Sequence, residues 1–379
     1  MPRRTASYLG HRAREALCVA RMATMSSGRR VAISADGPRG GMASGLRGWD
    51  LADGLRQLGY APLVLPAQLE LVQRRRLVNR FEPDVLIVRK ARHGLHRAEL
   101  FDDGPPLILD LDDADFLDPK LTVHLERLAA RAAMCIAGSR YVAEWLRRHN
   151  SNCRVIWTGS PHLSGDSALP RAGDSTAAPP VVGWCVSSPL GYHDEFRMIS
   201  GIMERVRQQT PVVFRVQGRG EPDRIEAFAR EAGYAGPLEV VGFKSSYDEF
   251  VRSLTSLSIG LAPLCTQGDA FSRGKSFGKV LGYLGAGVPI VASDAADHGL
   301  FFEHGTNGML ASTDDEWIDA IVTLARDREL TDTIRRSAHA DGVRRLSQQR
   351  FCELYARAID SVIDRSDAET AMLPASRKR

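Results

Sequence analysis

Strand-like and helix-like segments alternate from Arg30 almost to the end of the chain, and they do so in two rounds. That alternation narrows the fold to parallel sheets with crossover helices. The first round predicts strands at 30–34, 61–65, 84–88, 106–110, 134–137 and 153–157, with helices at 45–58, 69–81, 121–133 and 139–148. Residues 165–180 then lose all periodicity and fill with Ser, Pro, Ala, Gly and Asp, which reads as a linker. The second round predicts strands at 181–185, 212–217, 238–241, 257–261 and 288–292, and helices at 195–208, 224–232, 247–256 and 275–285. Helical stretches at 314–327, 329–346 and 348–363 follow.

The expected fold class is α/β, with two Rossmann-like β/α/β domains facing across a cleft. The domains divide as a poorly ordered N-terminal extension at 1–29, a first Rossmann-like domain at 30–164, the linker at 165–180 and a second at 181–346. A C-terminal helix at 347–365 has room to cross back to the first domain, and 366–379 is a polar tail. At 379 residues each half is long enough to bury its own core. Ligands of open α/β sheets bind at the carboxyl ends of the strands.

The formal charge of +4 hides an asymmetry. Residues 1–30 hold seven arginines and one acid, Glu15, for a net +6, which leaves −2 on the rest. The body is therefore not built to hold a polyanion, and nucleic acid is not an expected partner. Six cysteines are scattered with no C-x-x-C pair, which reads as reduced thiols in a cytoplasmic protein. No apolar run approaches the roughly 18–20 residues that span a bilayer. The arginine-rich start lacks the apolar core of a secretory signal, and Met22 or Met25 stands at a natural distance before the first strand.

Several segments carry candidate chemistry. In 274–294, Lys275 and Lys279 are spaced one helical turn apart and precede a Gly-Val-Pro stop, a pattern suited to a diphosphate or to a plain solvated face. The loop from Gly37 to Arg47 offers the amides of Gly40 and Gly41 to an anion. The run Asp110-Leu-Asp-Asp-Ala-Asp115 reads as a D-x-D metal pair or as carboxylates that cap and fix a loop. His93 and His96 follow a strand. Val182 to Ser188 ends a strand in small polar residues, with Ser187 placed for a phosphate oxygen; Gln217-Gly-Arg-Gly220 turns after a strand and offers Arg219. Helix 69–81 carries Arg74, Arg75, Arg76 and Arg80 beside apolar residues and could lie on an anionic membrane or simply cover the sheet.

These segments together resemble group 1 glycosyltransferases of the GT-B fold, a retaining, family-four-like group. The likeness is closest over 180–350 and looser over 30–160. It implies an enzyme that moves a hexose-type sugar from a UDP- or GDP-linked donor to a glycan, lipid-linked or small-molecule acceptor; the cysteine usage adds the expectation of a cytoplasmic location, and helix 69–81 that of peripheral contact with a membrane. It implies no cofactor beyond that donor and no metal. It assigns catalytic roles to His93, Lys275 and Arg273. It assigns donor binding to Gly40, Gly41, Ser187, Arg219, Gly242, Phe243, Lys275 and Lys279, with Gly242 and Phe243 lining the base pocket. The family's E-x7-E pair is missing: Gly274 and Gly282 stand at its two positions, and no Lys-Gly follows the Gly183-Trp184 strand. Restoring a carboxylate at Gly282 is expected to tighten nucleotide-sugar binding. A GT-B protein that binds nucleotide, glycan or a partner without turnover is the alternative reading, and a GT-B sugar-nucleotide 2-epimerase the third.

Overall fold

The computed structural model describes the chain except Met1, Ser26, Ser276 and residues 91–103, 166–168, 170–177, 266–268 and 373–379; the side chains of 2–9, His11, Ala43 and 369–372 are also outside the description. His93 and His96, with most of the expected linker, lie outside the described residues. The chain forms two units, one of Met1–Thr158 with Gln348–Arg379, the other Gly159–Ser347.

The first unit runs α1 (Pro2–Met22), β1 (Arg30–Ser34), α2 (Met42–Ser44), a π-helical turn (Gly45–Trp49) and α3 (Asp50–Gln57). It continues β2 (Ala61–Leu65), α4 (Leu71–Phe81), β3 (Val85–Arg89), β4 (Leu107–Leu111), α5 (Pro119–Arg131), β5 (Met134–Ala137), α6 (Arg140–Arg147) and β6 (Cys153–Val155). The six strands are parallel in the order β2-β1-β3-β4-β5-β6. Strands β1 to β5 read Val, Ile, Leu and Ala almost without interruption because helices cover both faces of a parallel sheet.

The C-terminal helix α15 (Gln348–Met372) belongs to this unit. It buries Phe351, Tyr355, Ile359 and Val362 against Leu51, Ala52 and Leu55 of α3. Gly54 permits this contact, since a side chain there would strike Cys352.

Residues 1–29, expected as a loose extension, instead carry a helix over most of their length. Cys18 of α1 is buried and directs its thiol to the Val64 carbonyl of β2, while Glu15 accepts from Gln73 Nε2 at 3.2 Å and pairs with Arg76 at 3.5 Å. The helix is held by these tertiary contacts, which arginine-rich composition does not announce.

The second unit runs β7 (Val181–Cys185), α7 (His193–Gln209), β8 (Val213–Gly218), α8 (Pro222–Glu231), β9 (Leu238–Gly242), α9 (Tyr247–Leu254) and β10 (Ile259–Ala262). Then come α10 (Ala270–Arg273), α11 (Gly278–Gly285), β11 (Ile290–Ser293), α12 (His298–Phe301), β12 (Met309–Ala311), α13 (Asp314–Arg326) and α14 (Arg328–Leu346). Its parallel sheet has the order β12-β11-β10-β7-β8-β9. Trp184, Phe196, Phe214, Tyr234 and Trp317 anchor the core. The T-D-D-E sequence starting α13 is a reciprocal cap in which Thr313 Oγ1 and Glu316 accept each other's amides.

The unit boundary falls between Thr158 and Gly159, ahead of the expected linker at 165–180. Residues after Gly159 already belong to the second unit: Ser160 bridges to Ser347, and Leu163 is buried.

Candidate functional site

In the second unit β7 comes first in sequence, with β8 on one side and β10 on the other. The sheet order reverses there, so loops leave in opposite directions and open a crevice above the strand ends. Tyr283 of α11 fixes this point. Its hydroxyl accepts from the Cys185 amide at 3.0 Å and sits 3.1 Å and 3.2 Å from the Gly183 and Leu261 carbonyls. Gly260 makes room for the ring, because a Cβ there would lie 2.7 Å from Tyr283 Cδ1.

Lys279 follows directly on the start of α11. Burial pushes its pKa down to about 8, Lys275 adds to the fall, and Glu195 with the neighbouring thiols pulls the other way. Among the described residues it forms no ion pair. A half-buried ammonium at a helix start, only partly compensated, is a site that gains from an incoming anion. Close to it, His298 is buried with Nδ1 3.0 Å from the Ser293 carbonyl. Burial lowers its pKa to about 4, the carbonyl resists, and Lys279 adds to the fall. The imidazole is neutral at pH 7 and adds no charge.

Lys275 does not share a helix with Lys279, contrary to the spacing argument. Helix α10 ends at Arg273, and α11 begins only at Gly278, because Gly274 closes the first and Phe277 leaves helical geometry before the second. The Lys275 ammonium instead lies 4.2 Å from the Phe271 ring centroid. Arg273 is exposed at the end of α10. Glu195, buried in the first turn of α7, secures this loop: its Oε1 accepts from the Cys265 amide at 3.2 Å and from Ser272 Oγ at 3.2 Å. Nothing in the sequence around Glu195 reveals this role, since its partners are 70 and 77 residues away.

Above β7 and β8, the Arg219 amide donates to the Ser187 carbonyl at 3.0 Å. Gly218 allows the two loops to meet, since a Cβ there would sit 2.5 Å from the Val186 carbonyl. The Arg219 guanidinium stacks over Phe243 just past β9, 3.7 Å from its centroid, with Gly242 exposed beside it. Ser187, Arg219, Gly242 and Phe243 thus border the carboxyl ends of β7, β8 and β9. Lys275 and Lys279 follow β10 in the same unit.

Gly282 has no such exposure. A side chain there would collide with the Phe250 ring and come within 3.1 Å of Leu254 Cδ1, both on α9. The expectation that a carboxylate at this position would meet a ribose is therefore corrected: the position faces a packed helix contact.

In the first unit the carboxyl ends of β1, β3 and β4 are locked by charge. Arg47, fully buried, donates to Asp110 from Nε at 3.1 Å and from Nη2 at 2.5 Å, and from Nη1 to the Ile156 carbonyl at 2.9 Å. Tyr355 of α15 lies 3.1 Å from the same guanidinium. Arg89 bridges Asp36, Asp110 and Asp112, and Lys90 bridges Asp112 and Asp113. Burial opposes ionisation of Asp112, but Lys90, Arg89 and Arg47 outweigh it and hold the carboxyl well below its usual range. Asp110, Asp112 and Asp113 thus fix loops, the second of the two sequence readings, and meet cations of the chain itself. Gly40 has φ of +79° in the β1–α2 loop, and the Gly41 amide donates to the Pro38 carbonyl at 3.4 Å.

Residues 180–327 match the family model of glycosyl transferases group 1. No curated protein matches the chain. Among solved structures, HepE of Anabaena, crystallised with UDP and glucose, superposes with a TM-score of 0.62 at 19% identity, over 88% of this chain and 100% of that one. Sucrose-phosphate synthase of Thermosynechococcus elongatus gives 0.67 at 11%, over 89% and 99%. The lipopolysaccharide outer core galactosyltransferase WaaB gives 0.61 at 14%, over 88% and 99%. Residues 180–327 thus resemble group 1 glycosyl transferases, and the chain has the two-sheet α/β fold of GT-B glycosyltransferases.

Proposed function

We propose that the protein transfers a sugar from a nucleoside diphosphate sugar to an acceptor, with retention of configuration at the anomeric carbon and without a metal ion. The observation that carries this reading is the half-buried Lys279 at the switch point of the second sheet, its charge incompletely balanced. A donor diphosphate supplies the missing negative charge. Arg273 at the end of α10 and Lys275 on the loop that follows add cations, and Ser187 offers a hydroxyl to a phosphate oxygen. The stacked Arg219 and Phe243 pair offers a flat surface to the base beside Gly242.

In the transfer, the bond between the anomeric carbon and the diphosphate oxygen breaks, and its electron pair leaves with the diphosphate. The acceptor hydroxyl bonds to that carbon, and its proton passes to the departing phosphate oxygen. Lys279 and Lys275 stabilise the charge that grows on the leaving group, the kind of electrostatic help that dominates such reactions. His93 and the amides of Gly40 and Gly41 are the candidates that the first unit's sequence offers toward sugar and phosphate. The UDP and UDP-glucose complexes of HepE favour a uridine donor.

Titration with UDP, GDP and UDP-glucose, followed by transfer and donor-hydrolysis assays, tests the reading; NMR of the product's anomeric centre tests retention. Absence of binding to every nucleotide sugar overturns it. A second reading, binding without turnover, is favoured by one observation: Gly282 stands where the resembling family carries a carboxylate, and Phe250 fills the space beside it. Tight nucleotide binding with neither transfer nor hydrolysis selects it.

A further inference from the structure

Helices α1 and α4 lie side by side at the β2 edge of the first sheet, joined by the contacts of Glu15 to Gln73 and Arg76. Helix α1 has five arginines and one acid, and α4 has four arginines and no acid. Together they carry +8 in a chain whose formal charge is +4, leaving −4 for all the rest. Arg74 turns inward and is buried, but Arg12, Arg21, Arg75, Arg76 and Arg80 are exposed, and such a concentration on two neighbouring helices suits an anionic partner.

The outward faces say which kind. On α1 the buried stripe runs through Cys18, and the opposite side presents Ala13, Ala16, Leu17 and Ala20, all exposed and at helical spacing. Leu17 is 62% exposed, and Arg12 and Arg21 flank this apolar strip. On α4, Val72 is 63% exposed among exposed Arg75, Arg76 and Arg80. Exposed aliphatic side chains ringed by arginines match a lipid surface, where the apolar groups enter the headgroup boundary and the guanidiniums meet phosphate. A polynucleotide would profit from the arginines but not from Leu17 and Val72. A second copy of the chain would bring like charge against like.

We propose that α1 and α4 form a docking face for the surface of a bilayer rich in anionic phospholipid. This stands apart from the glycosyl-transfer reading, because it concerns the first unit and needs no donor.

The full chain is sedimented with vesicles of phosphatidylcholine alone and of phosphatidylcholine with phosphatidylglycerol, at about 0.15 M salt. Binding to the anionic vesicles only is expected. Leu17→Asp with Val72→Asp, and separately Arg75→Glu with Arg80→Glu, should each weaken it by about tenfold. Neither pair should change the melting temperature. Independently, Val72→Trp should gain fluorescence quenching by brominated lipid over the wild type. The proposal is overturned if the chain ignores anionic vesicles, if both double variants bind like wild type, if Val72→Trp gains no quenching, or if single-stranded RNA binds while vesicles do not.

Discussion

The Arg219 guanidinium lies 3.7 Å from the centroid of the Phe243 ring, and the Arg219 amide is tied to the Ser187 carbonyl. One backbone bond and one stack therefore link the ends of β7, β8 and β9. If a nucleobase lies on this platform, Phe243→Ala removes a stacking face worth about 1–3 kcal/mol. Nucleotide affinity should fall by roughly tenfold or more, with little change in melting temperature, because both residues border solvent. Arg219→Lys should not restore what Arg219→Ala loses, since an ammonium cannot stack as a planar guanidinium does. Calorimetric titration with UDP checks both; unchanged affinity places the base elsewhere.

Lys279 makes binding depend on pH. Its pKa of about 8 in the free protein is below that of an ordinary lysine, chiefly through burial. Below that pH the ammonium is already charged, so affinity for UDP-glucose should be flat. Above it, binding must take up a proton, because the diphosphate raises the pKa of the group it pairs with. Affinity should then fall towards tenfold per pH unit between about pH 8 and 9. Lys279→Met should bind more weakly at pH 7 and lose the slope. A titration series across pH, wild type against variant, separates this from general destabilisation.

The strands were largely legible. Arg30–Ser34, Ala61–Leu65 and Val181–Cys185 fall where apolar runs between turn residues place them. Local pattern suffices there because parallel strands covered on both faces must be apolar throughout. The start of α11 was not legible: lysines four apart suggest one face, but α10 closes at Gly274, before Lys275, and Phe277 stands outside the helix ahead of Lys279. The clustered aspartates were visible, yet the partners of Asp110, Arg47 and Arg89, stand 63 and 21 residues away from it in sequence and meet it only in the folded sheet. At Gly282 the sequence shows a missing carboxylate, while only packing shows Phe250 in its way.

Gly282→Glu should therefore destabilise the second unit without tightening nucleotide binding. The new side chain must displace the Phe250 ring and crowd Leu254, and overpacking of a filled contact costs about 1–3 kcal/mol before any cost of burying the charge. Gly282→Glu combined with Phe250→Ala should recover part of the loss in thermal stability. Wild-type stability with tighter UDP binding in the single variant would show that the carboxylate reaches the ribose after all.

Tyr283→Phe removes one oxygen from the point where β7 and β10 meet. The Cys185 amide, buried at the end of β7, loses its acceptor at 3.0 Å, and the phenylalanine offers nothing in exchange. A buried donor left unpaired costs about 1–3 kcal/mol. Chemical denaturation should report a loss in that range with an unchanged slope. A loss near zero would mean that the amide finds another partner.

Arg47→Met tests the charge lock of the first unit. Arg47 and Asp110 are both fully inaccessible, and the pair sits among Arg89, Asp112 and Tyr355. Methionine keeps much of the volume but leaves Asp110 with Arg89 alone among the two arginines that hold it. Breaking a buried pair from one side typically costs about 3–5 kcal/mol, because the remaining charge stays desolvated. Asp110→Asn in the same background should return part of that loss, since it removes the stranded charge while keeping an acceptor for Arg89. Acid should act in the same direction on the wild type. Asp112 has its pKa depressed in the folded state, so the stability it contributes is complete above the unfolded carboxylate range and lost as pH falls below it. Urea midpoints at neutral pH and below about pH 4 should therefore differ more for wild type than for an Asp112→Asn variant. Equal shifts would assign the acid sensitivity to other carboxylates.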